Sequence, residues 1–149
     1  MRNAEVTREK ILRKSGILFN TRGYKATSIS DITTATGFTK GAIYRHFESK
    51  DHLERESLYY LSSVMFEDLR TRVRKQLTAG DKLRAVFGYF ESYVTEPVVK
   101  GGCPLLNAAV ESDDALPGLK KTAVKILEML HQSVMTILDN GIRYRQLRP

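Results

Sequence analysis

The chain has 149 residues, of which 42% are hydrophobic and 28% are charged, a composition typical of globular proteins. This length predicts one domain, or a small domain joined to a larger one, and no apolar run approaches the roughly 18 residues of a transmembrane helix. No apolar segment follows Met1, so we expect no signal peptide, and the single cysteine, Cys103, excludes an internal disulfide. These features predict a cytoplasmic protein with no membrane partner.

The positive charge is concentrated at one end of the chain. The net charge is +7, and residues 1–55 contain eleven bases and six acids, so most of the excess lies in the first third. Such a distribution favours a polyanionic partner such as nucleic acid. The alternative is a solvated basic face without a partner.

The first predicted helix covers residues 6–21. Ile11, Leu12, Ser15, Leu18 and Phe19 form one stripe at helical spacing, as an amphipathic helix requires. Gly23 follows and suits the left-handed conformation after a helix C-terminus. The sequence therefore predicts a helix that ends in a tight turn.

Two short helices are predicted next. Ser28 and Asp31 have the spacing of a capping box, and Gly37 ends the helix that they begin. Thr39 is the expected N-cap of the following helix. In that helix Ile43 shares an inward face with the residue four places on, and the opposite face carries Lys40, Gly41, Tyr44 and Arg45.

The rest of the chain is predicted to be helical as well. Long helices are expected over residues 50–76, over residues 81–95 with Asp81 as N-cap, and over residues 116–144. A short helix is expected over residues 105–111, and the polar residues 112–114 are interpreted as a turn, so that Asp113-Asp114 is not a catalytic pair. With no run that predicts a strand, the fold class is all-α.

The two short helices and the tight turn between them predict a helix-turn-helix unit. In such a unit the second helix enters the DNA major groove. Ile43 and Phe47 would fasten this helix to its support, while the outward side chains would meet the DNA. Gly41 and Ala42 are small enough to allow close approach of the backbone to base edges.

Residues 6–53 resemble the DNA-binding domain of the tetracycline-repressor (TetR) family. The features that carry the resemblance are Ile11-Leu12, Leu18-Phe19, Gly23-Tyr24, the run TSISDI at 27–32, the run GFTKGAIYRHF at 37–47, Ser49-Lys50 and Leu53. They cover about a third of the chain. Residues 101–107 are similar to the start of the sixth helix in some members. The resemblance implies a DNA-binding domain at residues 1–49 and a helical ligand-binding and dimerisation body at residues 50–149.

The resemblance also implies which residues contact DNA. By position these are Ser28, Ser30, Thr39, Lys40, Gly41, Ala42, Tyr44, Arg45, His46 and Lys50. Tyr44, His46 and Lys50 would contact phosphates. Arg45 departs from the family's more usual aromatic residue or histidine, and contacts with a guanine and with a phosphate both remain open. For His46 the alternative is a neutral histidine at the surface.

Neither catalysis nor metal binding is predicted. No His, Cys, Asp or Glu cluster has the spacing of metal ligands, and the sequence has no nucleophile motif and no phosphate-binding glycine loop. His52 and His131 are interpreted as solvent-facing, and Cys103 as an inert, partly buried residue. We therefore expect no cofactor and no enzyme.

Aromatic residues are concentrated in the predicted body. Most are expected to form core, although several tyrosines in a small helical body are also consistent with an apolar pocket carrying a few polar groups. The candidate ligand-binding residues are Tyr60, Phe66, Phe87, Phe90, Tyr93, Cys103 and Leu106. In the family, a ligand in the body moves two DNA-binding heads apart. The resemblance therefore implies a repressor released by a small molecule, and the aromatic residues favour a hydrophobic or aromatic one; the alternative is a DNA-binding protein whose body binds a partner and has no such pocket.

A homodimer on a palindromic operator is the expected assembly. In the resembled family two late helices of each subunit form the dimer, and here they would need about 40 further residues. The last predicted helix offers an apolar face of Ile126, Leu127, Leu130, Val134, Ile137 and Leu138. We expect the 149-residue chain to be a weak dimer or a monomer with an exposed apolar strip, and the complete protein to dimerise.

Overall fold

The computed structural model describes residues 2–112 and 115–148, with the backbone alone at residues 2 and 3. Within these ranges the chain forms seven α-helices and no strand. They are α1 (Arg2–Arg22), α2 (Ile29–Thr36), α3 (Lys40–Tyr44), α4 (Lys50–Arg74), α5 (Ala79–Ser92), α6 (Pro104–Ser112) and α7 (Pro117–Arg143). The predicted all-α class is confirmed. The predicted turn at Asp113 and Asp114 lies outside the described residues.

The caps of the short helices follow the sequence. The Ser28 hydroxyl accepts a hydrogen bond from the Asp31 amide at 3.1 Å, and the Asp31 carboxylate accepts one from the Ser28 amide at 2.8 Å, which completes the predicted capping box. Gly37 ends α2 in the left-handed conformation with φ of 75°, and Thr39 caps α3. These three caps confine α2 and α3 to the lengths that a helix-turn-helix unit needs.

Two predicted helix starts are wrong, and the other predicted limits differ from the structure by three residues or fewer. Helix α1 begins at Arg2, before the apolar stripe that defines it in the sequence. Helix α5 is capped by Thr78 and not by Asp81, because the Thr78 hydroxyl accepts a hydrogen bond from the Asp81 amide at 3.1 Å. Asp81 occupies the third helical position, where its carboxylate accepts a hydrogen bond from the same hydroxyl at 2.5 Å.

Two adjoining apolar clusters hold the helices together. The first joins α1, α2 and α3 to the start of α4 and to α6 and α7, and it includes Ile11, Phe19, Ile32, Ile43, Phe47, Leu53, Leu58, Leu119 and Ile126. The second lies between α4, α5 and α7 and includes Met65, Leu69, Val86, Tyr89 and Tyr93. We call residues 2–49 the head and residues 50–148 the body. Among the described helices, none is long and apolar enough to cross a membrane.

Candidate DNA-binding surface

Helix α3 is held to the head by one side chain of its own and one from the segment that follows. Ile43 is fully buried, and Phe47, four residues later, is 1% exposed. The Arg8 guanidinium lies 5.2 Å from the centre of the Phe47 ring, which adds a cation–π contact from α1. With these two residues turned inward, Lys40, Gly41, Tyr44 and Arg45 are exposed, as predicted.

The outer face of α3 carries a paired cation and aromatic ring. Lys40, Tyr44 and Arg45 are all exposed, and the Lys40 ammonium lies 5.9 Å from the centre of the Tyr44 ring. This contact between positions i and i+4 restricts both side chains before any partner arrives. The arrangement offers a positive charge, a phenol hydroxyl and a guanidinium within two helical turns.

Gly41 leaves the first turn of α3 open. A Cβ atom added at this glycine would meet no other atom within 4 Å, and the residue lies inside a right-handed helix. Neither packing nor backbone conformation therefore requires glycine here. The missing side chain instead lets another molecule approach the α3 backbone closely. Thr39 beside it is exposed, whereas Ala42 is only partly so.

The predicted residues of α2 differ in their availability. The Ser28 hydroxyl donates a hydrogen bond to Asp31 at 2.5 Å, which holds the pKa of that carboxyl below its ordinary value. Ser28 therefore caps the helix while it remains exposed. Ser30 is exposed on the first turn of α2, and His46 is half-buried beside the ring of Phe47, with the two ring centres 6.3 Å apart.

Lys50 is the predicted DNA-binding residue that points elsewhere. Its ammonium donates a hydrogen bond to the Tyr24 carbonyl at 2.8 Å and lies 3.1 Å from a carboxylate oxygen of Glu54. Glu54 is 3% exposed, and its burial raises the pKa of the carboxyl. The Lys50 ammonium is thus paired with groups of the protein itself, although a third of its side chain is exposed.

Four of the predicted ligand-binding residues, Phe66, Phe90, Tyr93 and Cys103, meet in or against the second apolar cluster, but the seven candidates do not line one cavity. A groove of about 340 Å³ lies between α4, α5 and α7, and of the seven candidates only Phe66 lines it. Phe87 and Leu106 are 70% and 62% exposed. Tyr60, Phe90, Tyr93 and Cys103 are packed in or against the two apolar clusters.

Most residues of the groove wall are not among those predicted from the sequence. Its residues are Leu69, Arg70, Val73, Val86, Met129, Leu130, Ser133, Val134, Thr136 and Ile137, besides Phe66. Three of them, Leu130, Val134 and Ile137, belong to the apolar stripe of the last helix, so their spacing indicates an apolar face but not what covers it. Tyr89 at the neighbouring cluster was also missed; its hydroxyl donates a hydrogen bond to the Met65 carbonyl at 2.9 Å.

Family comparisons match both parts of the chain. A model described as "Bacterial regulatory proteins, tetR family" matches residues 11–56, and one described as "Tetracyclin repressor-like, C-terminal domain" matches residues 79–149. The crystal structure of a TetR transcriptional regulator from Chloroflexus aurantiacus is 37% identical, with a TM-score of 0.90. That match covers 100% of this chain and 75% of the other.

Curated relatives are similar over part of their length. The transposon Tn10 TetC protein of Escherichia coli is 30% identical over 95 residues, which are 63% of this chain and 47% of that protein. The HTH-type transcriptional repressor DhaR of a Mycobacterium species is 28% identical over 123 residues, 81% of this chain and 60% of the relative. The chain therefore matches about half to three fifths of these relatives' length.

Proposed function

The chain belongs to the tetracycline-repressor family of bacterial regulatory proteins, and on this premise we propose that it is a DNA-binding transcriptional repressor whose body responds to a small molecule. The family is one of regulators and not of enzymes, which is the class that the sequence predicted. The observation that carries the proposal is the outer face of α3, where Lys40, Tyr44 and Arg45 are exposed around the open Gly41.

We assign base and phosphate contacts to these residues from their positions on α2, on α3 and just after α3. Thr39, Lys40, Gly41 and Ala42 face base edges in the major groove, and Tyr44 and His46 contact phosphates beside it. Arg45 adds a contact with a guanine or a phosphate, and Ser28 and Ser30 meet the DNA from α2. Two heads in a homodimer then occupy two half-sites about one helical turn apart.

The first experiment identifies the DNA and measures its salt dependence. Duplexes are selected from a random pool by the protein, and the affinity for the selected sequence is measured from low to moderate salt. Because phosphate contacts release counterions, the logarithm of affinity should fall steeply with the logarithm of salt concentration. Failure to enrich any sequence, or an affinity independent of salt, would contradict the proposal.

Lys40 and Tyr44 separate base reading from phosphate contact. Lys40→Ala should relax the preference at one or two base pairs, with a loss of about 1–3 kcal/mol on the selected duplex. Tyr44→Ala should weaken binding to all duplexes alike. If Lys40→Ala lowers affinity for selected and random duplexes by the same factor, Lys40 does not read a base.

Gly41→Ala tests the close approach of the α3 backbone. Alanine is favoured over glycine inside a helix by about 1 kcal/mol, and the added methyl group has free space, so the head should become slightly more stable. Affinity for the selected duplex should nevertheless fall. A variant with both higher stability and unchanged DNA affinity would place the DNA farther from α3.

The effector is proposed to be a hydrophobic or aromatic small molecule that binds in the groove between α4, α5 and α7. Its wall is mostly apolar, with Arg70, Ser133 and Thr136 as polar groups, a composition that suits such a ligand. A thermal-shift screen of small molecules, followed by a test of DNA release, examines this. A body that binds no small molecule but retains a macromolecular partner would favour the alternative of a partner-binding regulator.

A further inference from the structure

The turn between α1 and α2 is held by a carboxylate from the body. After Gly23, which has φ of 96°, the amides of Tyr24 and Lys25 point to the same side. The Tyr24 amide donates to one carboxylate oxygen of Glu111 at 2.8 Å, and the Lys25 amide donates to the other at 2.7 Å. Charge-assisted hydrogen bonds of this kind are about twice as strong as neutral ones. Glu111 belongs to α6, so the C-terminal end of α6 is hydrogen-bonded to the head.

The same peptide is held from a second helix. The Tyr24 carbonyl accepts the hydrogen bond from the ammonium of Lys50, at the start of α4, and the buried Glu54 lies beside that ammonium. Both backbone polar groups of Tyr24 are therefore bound by charged side chains of the body. One is an anion that binds the amide, and the other is a cation that binds the carbonyl.

The side chain of Tyr24 anchors the turn in the protein core. Its ring is fully buried and stacks on Phe19, with ring centres 5.0 Å apart and planes 8° from parallel. Tyr24 is bound at its ring and at both of its backbone polar groups. It therefore cannot shift relative to α6 without breaking several contacts. The turn is thus a fixed point and not a flexible connection.

A second attachment lies near the beginning of α6. The side-chain amide of Asn107 donates to the side-chain oxygen of Asn20 at 3.0 Å. The side-chain amide of Asn20 in turn donates to the carbonyls of Lys100 and Gly102 at 2.9 and 3.0 Å. The end of α1 is therefore bonded to α6 and to the segment before it. With Glu111 at the other end, α6 contacts the head at two separate places.

We propose that Glu111 and Lys50 are positioning residues that fix the head on the body through the backbone of Tyr24. We call this attachment of Glu111 and Lys50 to Tyr24 and Lys25 the joint. The turn determines where α2 begins, since the N-cap Ser28 comes three residues after Lys25, and α2 in turn supports α3. Lys50 then serves DNA binding without contacting phosphate. The inference rests on the proposed function, because its consequence is a change in DNA affinity.

The salt dependence of binding separates the two roles of Lys50. Lys50→Met retains most of the side-chain length and removes the ammonium. We expect affinity for the selected duplex to fall about tenfold, as for loss of one charge-assisted hydrogen bond, with the salt slope unchanged. A lost phosphate contact would instead reduce the slope by about 0.9. Lys125→Met, an exposed lysine on α7, is the matched control for the change in net charge.

Glu111 is tested by graded replacement. Glu111→Gln retains one acceptor for the two amides and Glu111→Ala retains none, so DNA affinity should decrease in that order. Lys50 and Glu111 bind the same peptide. The loss of DNA affinity in the double variant Lys50→Met/Glu111→Ala should therefore be smaller than the sum of the two single losses. Glu128→Ala, at an exposed glutamate of α7, should leave affinity unchanged. Additive losses, or a Gln variant as weak as the Ala variant, would contradict a shared joint.

Hydrogen exchange tests the joint without DNA. Glu111→Ala should accelerate exchange of the Tyr24 and Lys25 amides while those of α4 keep their protection. Unchanged exchange at these two amides would overturn the inference, and so would general loss of protection in both Glu111 variants. If the wild-type protein binds no duplex, the proposed function fails while this measurement still decides the joint. If the wild type binds and all variants bind equally, only the joint fails.

Discussion

The outer face of α3 and the outer face of α7 are opposites. The short helix buries Ile43 and exposes polar or small residues besides the Tyr44 ring, so its aliphatic surface is enclosed. The long helix buries Leu119 and Ile126 on one side, yet away from that side it leaves Val124, Leu127 and Ile142 between 42% and 55% exposed. The head thus presents a surface suited to a polyanion, whereas α7 presents one suited to another apolar surface.

The largest expected effect tests the enclosed core of the head. Phe47→Ala should destabilise the protein by about 3–5 kcal/mol, because it empties a space between α3, α4 and α1. DNA binding should be lost through unfolding of the head. The matched control is Phe87→Ala on α5, where 70% of the side chain is already exposed and the unfolding free energy should change by less than about 0.5 kcal/mol. Equal melting temperatures of the two variants would contradict this assignment of Phe47.

These two phenylalanines also show what the sequence could predict. Phe47 follows the fully buried Ile43 at i+4 in a segment with clear caps, so its inward position was predictable from spacing alone. Phe87 lies on α5, whose neighbours are distant in sequence, and periodicity could not tell which side α4 and α7 cover. The caps at Ser28 and Thr39 are local and were predicted correctly, whereas the groove depends on long-range packing and was not.

The role of Lys50 shows the same limit at the candidate site. Its position after the Ser49 N-cap was predictable, but the direction of its side chain depends on the Tyr24 carbonyl, 26 residues earlier. Glu111 carried no signal in the sequence, because its partners are backbone amides and not a recognisable motif. Contacts to backbone at long range leave no residue pattern from which they can be inferred.

The next effect tests the attachment between head and body. Gly101 and Gly102 have φ of 99° and 92°, so alanine is strained at both positions, by about 1–2 kcal/mol. Only at Gly101 would the new Cβ lie 2.6 Å from the Asn20 carbonyl oxygen; at Gly102 it would meet nothing within 4 Å. Gly101→Ala should therefore lower the melting temperature more than Gly102→Ala. Equal decreases in melting temperature would show that the end of α1 moves to accommodate the new Cβ atom.

A smaller effect concerns the apolar face of α7. Leu127→Glu places a charge on the exposed strip and should weaken self-association of the chain by about 1–2 kcal/mol, the value of partly burying one leucine. Leu77→Glu is the control, since this leucine is 90% exposed in the connection between α4 and α5. Sedimentation at several concentrations measures both. A tight dimer that neither substitution disturbs would place the contact on another surface.

The smallest effect compares two matching caps, Asp31 at the start of α2 in the head and Asp81 at the start of α5 in the body. Hydrogen bonds from Ser28 and from Thr78 and Arg84 hold the pKa of these carboxyls below the ordinary value. The unfolded chain therefore binds protons more readily than the folded protein near an aspartate's normal pKa of about 3.9, so each carboxylate contributes stability above that pH and loses it as pH falls. Asp31→Asn and Asp81→Asn should each reduce the slope of the unfolding free energy against pH between about pH 2 and 5. Both carboxyls are exposed to water, so each change should be small. If one variant retains the wild-type pH dependence, its cap does not form in solution, and the two regions differ at their helix starts as well as at their outer faces.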